Sequence, residues 1–160
     1  MNVTRLNVKE ARAYLQIKSE FTIAVHILTA IDYFRESYTV TSSFLAGSIG
    51  ANPVIVRNVM LDLKEAGLIS TSQGKSGIEL ARKLSDITLF DVYNAVSCVN
   101  EEGLFHFHEN PNADCPVGRN IHRVMAPRLS SVQAAMEEEL RKTTLANIVE
   151  DTKAAIENEN

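Results

Sequence analysis

Apolar positions recur along this chain at two different periods, and the changes of period mark its elements. From Ser19 to Glu36, Phe21, Ala24, Val25, Leu28, Ile31 and Tyr33 or Phe34 fall three or four residues apart. That spacing predicts an amphipathic helix, capped by Ser19 with Glu20 and Thr22 in its first turn. His26 lies on this helix with no Cys, Asp or His at i±3 or i±4, so it reads as an ordinary helix histidine rather than a ligand. Between Val40 and Lys83 the pattern shortens. Thr41 or Ser42 can cap a helix whose apolar face is Leu45, Ala46 and Ile49. Gly50 stands where a left-handed residue closes such a helix. Asn52-Pro53 restarts one, with Asn as cap and Pro at the first helical position. Val56, Val59, Met60, Leu63 and Ala66 form its predicted buried stripe, leaving Arg57, Asn58, Asp62, Lys64 and Glu65 outside until Gly67 stops it.

The period then drops to two. Leu68-Ile69 starts a short strand, the tip Ser72-Gln73-Gly74-Lys75-Ser76-Gly77 has no apolar residue, and Ile78 and Leu80 alternate with Glu79 in a second strand. Helix, tight turn, helix and β-hairpin wing is the order in which a small domain presents its second helix to a DNA major groove. The first turn of the Pro53–Ala66 helix is therefore the candidate base-reading element. Arg57 suits a guanine edge, Asn58 an adenine edge, and Val54 and Ile55 a thymine methyl, with Asn52 capping the turn. Ser42 and Ser43 suit phosphate contacts, and Gln73, Lys75 and Ser76 on the wing tip suit the neighbouring groove or backbone. Each of these side chains also reads as a solvated surface polar taken singly; the helix as a unit carries the expectation.

Downstream, Thr88 is a cap paired with Asp91 for a helix over Leu89–Val96, with Leu89, Val92, Tyr93 and Val96 facing inward. Residues 97–118 break the periodicity and read as a long loop, or a loop around a short strand, of the kind that is often functional. A long helix is expected from Arg119 to about Thr143, striped by Ile121, Val124, Met125, Leu129, Val132, Ala135, Met136 and Leu140. Pro127 inside it should kink or restart it. The stripe exceeds what the small head requires, so part of it is expected to pair with the same helix of a second chain. The alternative is burial within its own subunit. A last helix runs from Thr143-Thr144-Leu145 to Ile156.

These blocks carry a resemblance. The order LA-x3-G (Leu45 to Gly50), LKEAGLI (Leu63 to Ile69), a Gly-containing wing, LAR (Leu80 to Arg82), DITLFDV (Asp86 to Val92) and CPVG (Cys115 to Gly118) resembles the Rrf2 family of bacterial transcription regulators. It covers nearly all of Ile17 to Asn147 and is closest to the subgroup without the full iron–sulfur cysteine set. The family wing commonly carries a Gly-Gly pair followed by an aromatic, whereas this chain has Gly77-Ile78. The resemblance implies a mainly α fold: a winged helix-turn-helix head with a two-stranded β-wing and a long C-terminal dimerisation helix. It implies four segments: a 1–16 extension, a 17–97 DNA-binding domain, a 98–118 sensor or linker loop and 119–160 dimerisation helices. Family members usually begin near Gln16-Ile17. Leu15 occupies the place of their first residue, so residues 1–14 read as an upstream extension or as a short helix packing on a partner subunit. The implied function is a homodimeric, sequence-specific repressor of redox, sulfur or stress genes, bound to a double-stranded operator.

Composition refines this picture in three places. The net charge is −4, yet residues 40–83 hold five Lys/Arg against three Asp/Glu, while residues 84–160 hold six against thirteen. A basic head on an acidic tail fits an oriented DNA binder making few phosphate contacts per subunit. No apolar run approaches a membrane span and no secretory signal is present, so a cytoplasmic protein is expected. No Gly-rich phosphate loop, nucleophile elbow or metalloprotease spacing is found, which argues against an enzyme.

Two cysteines, Cys98 and Cys115, cannot supply the usual thiolates of a cluster, so no cofactor is expected. Cys98, His106, His108 and Cys115 do place four metal-ligand types in one stretch, and a transition-metal or iron–sulfur site stays open as an alternative. Cys98 ends an apolar helix and reads as core. Cys115 precedes Pro116 near the start of the long helix, with Arg119 and His122 close in sequence. Helix N-termini favour thiolate, so Cys115 is the candidate redox sensor, against the reading of an inert packed cysteine. A repressor that binds a small effector in a cleft between head and dimer helix is a second alternative, and a winged helix that pairs only with protein a third.

Overall fold

The computed structural model describes residues 19–71, 77–96 and 103–159. Gln73, Lys75, Ser76 and Cys98 lie outside these residues, as does the 1–16 extension. The described elements are α1 (Ser19–Phe34), α2 (Ser42–Ile49), α3 (Pro53–Glu65), β1 (Ile69–Thr71), β2 (Ile78–Leu80), a 3-10 turn (Leu84–Asp86), α4 (Leu89–Ala95), α5 (Pro116–Lys142) and α6 (Leu145–Asn158). Among the described residues the protein is thus mainly helical with one two-stranded antiparallel sheet, as expected. The described residues fall into two compact units, one of residues 19–71, 77–96 and 137–159, the other of residues 103–136.

The first unit is built on α1, which buries Ala24, Ile27, Leu28, Ala30 and Ile31. Leu45 of α2 and Val56, Val59 and Leu63 of α3 are wholly buried. Each such aliphatic side chain contributes about 1.5–3 kcal/mol relative to exposure. The local signals explain the turns. Thr41 caps α2 by accepting from the Phe44 N–H at 3.2 Å, and Gly50 ends it at φ +67°, a conformation open to glycine at no steric cost. Asn52 caps α3 by accepting from the Val54 N–H at 2.9 Å, with Pro53 at the first helical position. Two predicted stripe positions are not buried: Ala66 is exposed because α3 ends at Glu65 and Ala66 is already its C-cap, and Met60, in mid-helix, is only half-buried. The wing pairs Ile69 with Leu80, Ser70 with Glu79 and Thr71 with Ile78, and the Ile78 N–H donates to the Val40 carbonyl at 3.0 Å.

The end of the chain belongs to this same unit. Thr88 and Asp91 form the expected capping box at α4; Thr144 and Asn147 form a second, unexpected one at α6. The two caps lie side by side through an isolated antiparallel bridge between Thr88 and Thr144. The Leu89 N–H donates to the Thr143 carbonyl at 2.9 Å, and the Leu145 N–H to that of Ile87 at 2.8 Å. Lys153 of α6 meets the nearly buried carboxylate of Asp32 at 3.1 Å, which Arg35 also approaches at 3.3 Å. The Arg141 guanidinium lies 3.5 Å from the Phe90 ring centroid.

In the second unit, residues 103–115 contain no strand, and α5 begins at Pro116 rather than Arg119. Proline at a helix start needs no N–H, so the helix absorbs Pro116-Val117-Gly118 that the sequence pattern leaves in the loop. Pro127 does not restart α5, which runs as one 27-residue helix. The loss of one internal N–H bond is tolerated in a helix of this length. None of the α5 residues is buried.

Candidate DNA-reading surface and thiol loop

The chain turns by 116° between α2 and α3, within the range of helix-turn-helix pairs. That turn leaves the first residues of α3 standing clear. Val54 is 57% exposed, Ile55 40%, and Asn52, Arg57 and Asn58 are exposed as well. Among the described residues the side chains of Arg57 and Asn58 make no hydrogen bond or ion pair. They are available to an external partner without breaking an internal bond. Two exposed branched aliphatics at a helix start cost solvation free energy, which contact with base methyl groups would recover. Asn52 spends its side-chain oxygen on the cap and keeps its amide N–H donors.

Ser43 is exposed and Ser42 half-buried in the first turn of α2. Three contacts around this surface have no sequence signal. Lys64 donates to the Thr71 hydroxyl at 2.9 Å, tying the last turn of α3 to the wing. His26 lies 3.2 Å from the Ser48 hydroxyl, joining α1 to α2. Tyr38 stacks on Phe44 at 5.7 Å while remaining exposed beside the start of α2.

Cys115 is exposed and not disulfide-bonded. It sits at the N-terminal edge of α5: its carbonyl accepts from the Arg119 N–H at 3.0 Å. The thiol is held below its ordinary range by hydrogen bonds from the backbone of Gly118, then Val117, with a smaller opposing effect of burial. Both donors are unpaired first-turn amides of the helix, which favour an anion. The turn beneath is tight: the Cys115 N–H donates to the Asn112 carbonyl at 3.2 Å, and the Asp114 N–H to the Asn112 side chain at 2.9 Å. A Cβ added at Gly118 would overlap the Asn112 carbonyl oxygen, so only glycine seats the helix start on this turn. His106 is half-buried, and His108 is exposed beside His122, with ring nitrogens 3.5 Å apart.

Comparison with known proteins places these features. Residues 17–151 match the Rrf2 family, described as iron-dependent transcriptional regulators. YwnA of Bacillus subtilis (strain 168), whose name provisionally makes it an HTH-type transcriptional regulator, is 38% identical over 133 residues, spanning 83% of this chain and 96% of YwnA. A crystal structure described as that of a candidate DNA-binding protein superposes with a TM-score of 0.66 at 33% identity, covering 81% of this chain and 98% of the other. The fold is shared with T. potens IscR, at a TM-score of 0.64, 21% identity, and coverage of 88% and 90%.

An iron–sulfur cluster does not fit the cysteine content of this chain. The chain has two cysteines in all, and among the described residues no three His, Cys, Asp or Glu side chains gather where they could hold a metal. An iron–sulfur cluster ordinarily takes four protein ligands, mostly thiolates. The exposed first turn of α3, the wing beside it and the match over most of the chain lead to one conclusion: this protein belongs to the Rrf2 family and is a DNA-binding transcriptional regulator, not an enzyme.

Proposed function

We propose that the protein acts as a cytoplasmic homodimeric repressor that reads its operator through Asn52, Val54, Ile55, Arg57 and Asn58 and is controlled by oxidation of Cys115. Ser42 and Ser43 hold the phosphate backbone, with Gln73, Lys75 and Ser76 of the wing tip on the flanking groove. The observation that carries the reading is the exposed start of α3, where Val54 and Ile55 face solvent beside Arg57 and Asn58, whose side chains have no internal partner among the described residues. The dimer is supported by α5, where Val124, Met125 and Val132 are exposed on a helix with no buried residue. An apolar stripe of that length is stabilised by a second copy, and two-fold symmetry gives two reading helices for two half-sites one DNA turn apart.

Thiol control is supported by the exposure of Cys115 and by the amides that lower its pKa. The thiolate attacks a hydroperoxide: an S–O bond forms, the O–O bond breaks, and the departing oxygen leaves as water or alcohol. The resulting sulfenic acid condenses with a second thiol to a disulfide, releasing water. The deciding experiment titrates DNA binding with hydroperoxide for the native protein and Cys115→Ser. Release in the former and none in the latter is expected; an identical response in both removes the thiol model.

One observation favours a second reading, control by a small molecule. A cavity of about 410 Å³ opens between α1 and α6, lined by Val25, His26, Tyr33, Phe34, Ile148 and Ile156. His26 on its wall bonds Ser48 of α2, so an occupant would touch a side chain joined to the DNA-reading pair. This reading gains if Cys115→Ser leaves control intact and substitution of Phe34 abolishes it.

A further inference from the structure

The loop before α5 carries a feature that neither DNA reading nor thiol chemistry uses. His108, on the loop, and His122, in the second turn of α5, bring Nδ1 and Nε2 to 3.5 Å from each other, with ring planes at 77°. An imidazole hydrogen bond prefers about 2.7–3.2 Å. Two imidazoles sharing a tetrahedral ion at about 2.0–2.1 Å have their nitrogens about 3.3–3.4 Å apart. An octahedral edge at the same bond length is shorter, about 3.0 Å. The observed gap is longer than a good imidazole hydrogen bond and within about 0.2 Å of a tetrahedral edge, with the two rings meeting edge-on. We propose that His108 and His122 form a two-histidine site for a tetrahedral borderline divalent ion, best met by Zn2+.

The loop is built to hold the pair. At one end the Leu104 N–H donates to the Gln133 side chain at 3.0 Å. At the other, Asn112 accepts from Cys115 and lies under Gly118. Between them Asn110 adopts φ +51°, a left-handed turn directly after Glu109. Phe107 packs on His122 with centroids 4.9 Å apart, giving the site one apolar wall. Glu109 and Asp114 add negative charge on the loop; Arg119 and Arg123 oppose it from α5, Arg123 being bound to Asn120 at 3.0 Å. The ring centroids are 4.6 Å apart, against about 5.2 Å for an ideal tetrahedral pair. Closure on an ion thus turns the exposed His108 outward by a fraction of an ångström. Among the described residues no third side chain joins them, so water fills the remaining positions. Imidazole ligands suit Zn2+ and do not suit Mg2+. This is a different donor set from the thiolates of a cluster. It ties the loop that seats Cys115 to the second turn of α5.

The test uses the untagged full chain, stripped with a chelator. Calorimetric titration with Zn2+ is expected to show one ion per chain, with no heat of binding from Mg2+. His108→Ala and His122→Ala should each weaken binding at least tenfold, and Cys115→Ser should leave it unchanged. Imidazole nitrogen NMR on the native chain gives a readout independent of the variants: Zn2+ should shift His108 Nδ1 and His122 Nε2 together. No saturable Zn2+ binding, binding kept when both histidines are replaced, or Zn2+ shifts at other histidines only would each overturn the site.

Discussion

Replacing Arg57 by Ala separates DNA reading from folding on a single helix. Arg57 is exposed and makes no side-chain hydrogen bond or ion pair among the described residues. Its removal should change folding stability by no more than about 0.5 kcal/mol. If its guanidinium grips a guanine edge, the loss is about 1–3 kcal/mol per half-site. Two half-sites in a dimer double that to about 2–6 kcal/mol, from roughly thirtyfold to more than ten-thousandfold in affinity. The assay is fluorescence anisotropy on DNA from upstream of the protein's own gene, over a salt series. Base contact predicts loss of discrimination between that DNA and unrelated duplex. Phosphate contact predicts uniform weakening and a salt slope shallower by about 0.9 for each phosphate no longer neutralised. Unchanged affinity, with thermal unfolding also unchanged, would refute the placement of α3 against DNA.

Leu63→Ala, on the buried side of that helix, should show the opposite pattern: about 2–5 kcal/mol lost in urea unfolding, because a wholly buried side chain leaves a cavity. Lys153→Ala removes one of two cations from Asp32, whose side chain is 4% exposed, and should cost about 1–2 kcal/mol in thermal unfolding, since Arg35 stays as a partner. For Cys115, alkylation in a Cys98→Ser background should rise with pH through a midpoint below that of a free thiol, about 8.5. Because its folded pKa is lowered, the thiolate's contribution to stability is fully present above the unfolded pKa and is lost as pH falls through the folded one. Gly118→Ala, which pushes the helix start off the Asn112 turn, should return the alkylation midpoint toward the free-thiol value.

What could be read from the sequence was local. The Thr41, Asn52-Pro53, Gly50 and Thr88–Asp91 signals each act within four residues, and the structure has each in place. The start of α5 departs from the sequence pattern for a local reason too: proline at a first helical position looks like a breaker when the residues before it are irregular. Ala66 keeps the helical spacing but falls past the last turn. The remaining contacts join distant residues of unremarkable type. Lys153 reaches Asp32 across 121 positions, His26 reaches Ser48 across 22, and His108 reaches His122 across 14. No periodicity encodes these pairs; the first two follow from helices packing through their apolar faces, which fixes where the polar side chains meet, and the third from the loop before α5 lying along that helix.

In the proposed function a symmetric pair of α3 helix starts reads DNA. Hydroxyl-radical footprinting of the upstream DNA, run beside a measurement of mass in solution, tests it most directly. The expected result is a dimer and two protected patches centred about one helical turn, roughly 10–10.5 base pairs, or a whole multiple of it, apart. Both patches should vanish when Val54, Ile55 and Arg57 are replaced by Ala. A monomer giving a single patch, or protection that survives those replacements, would contradict it.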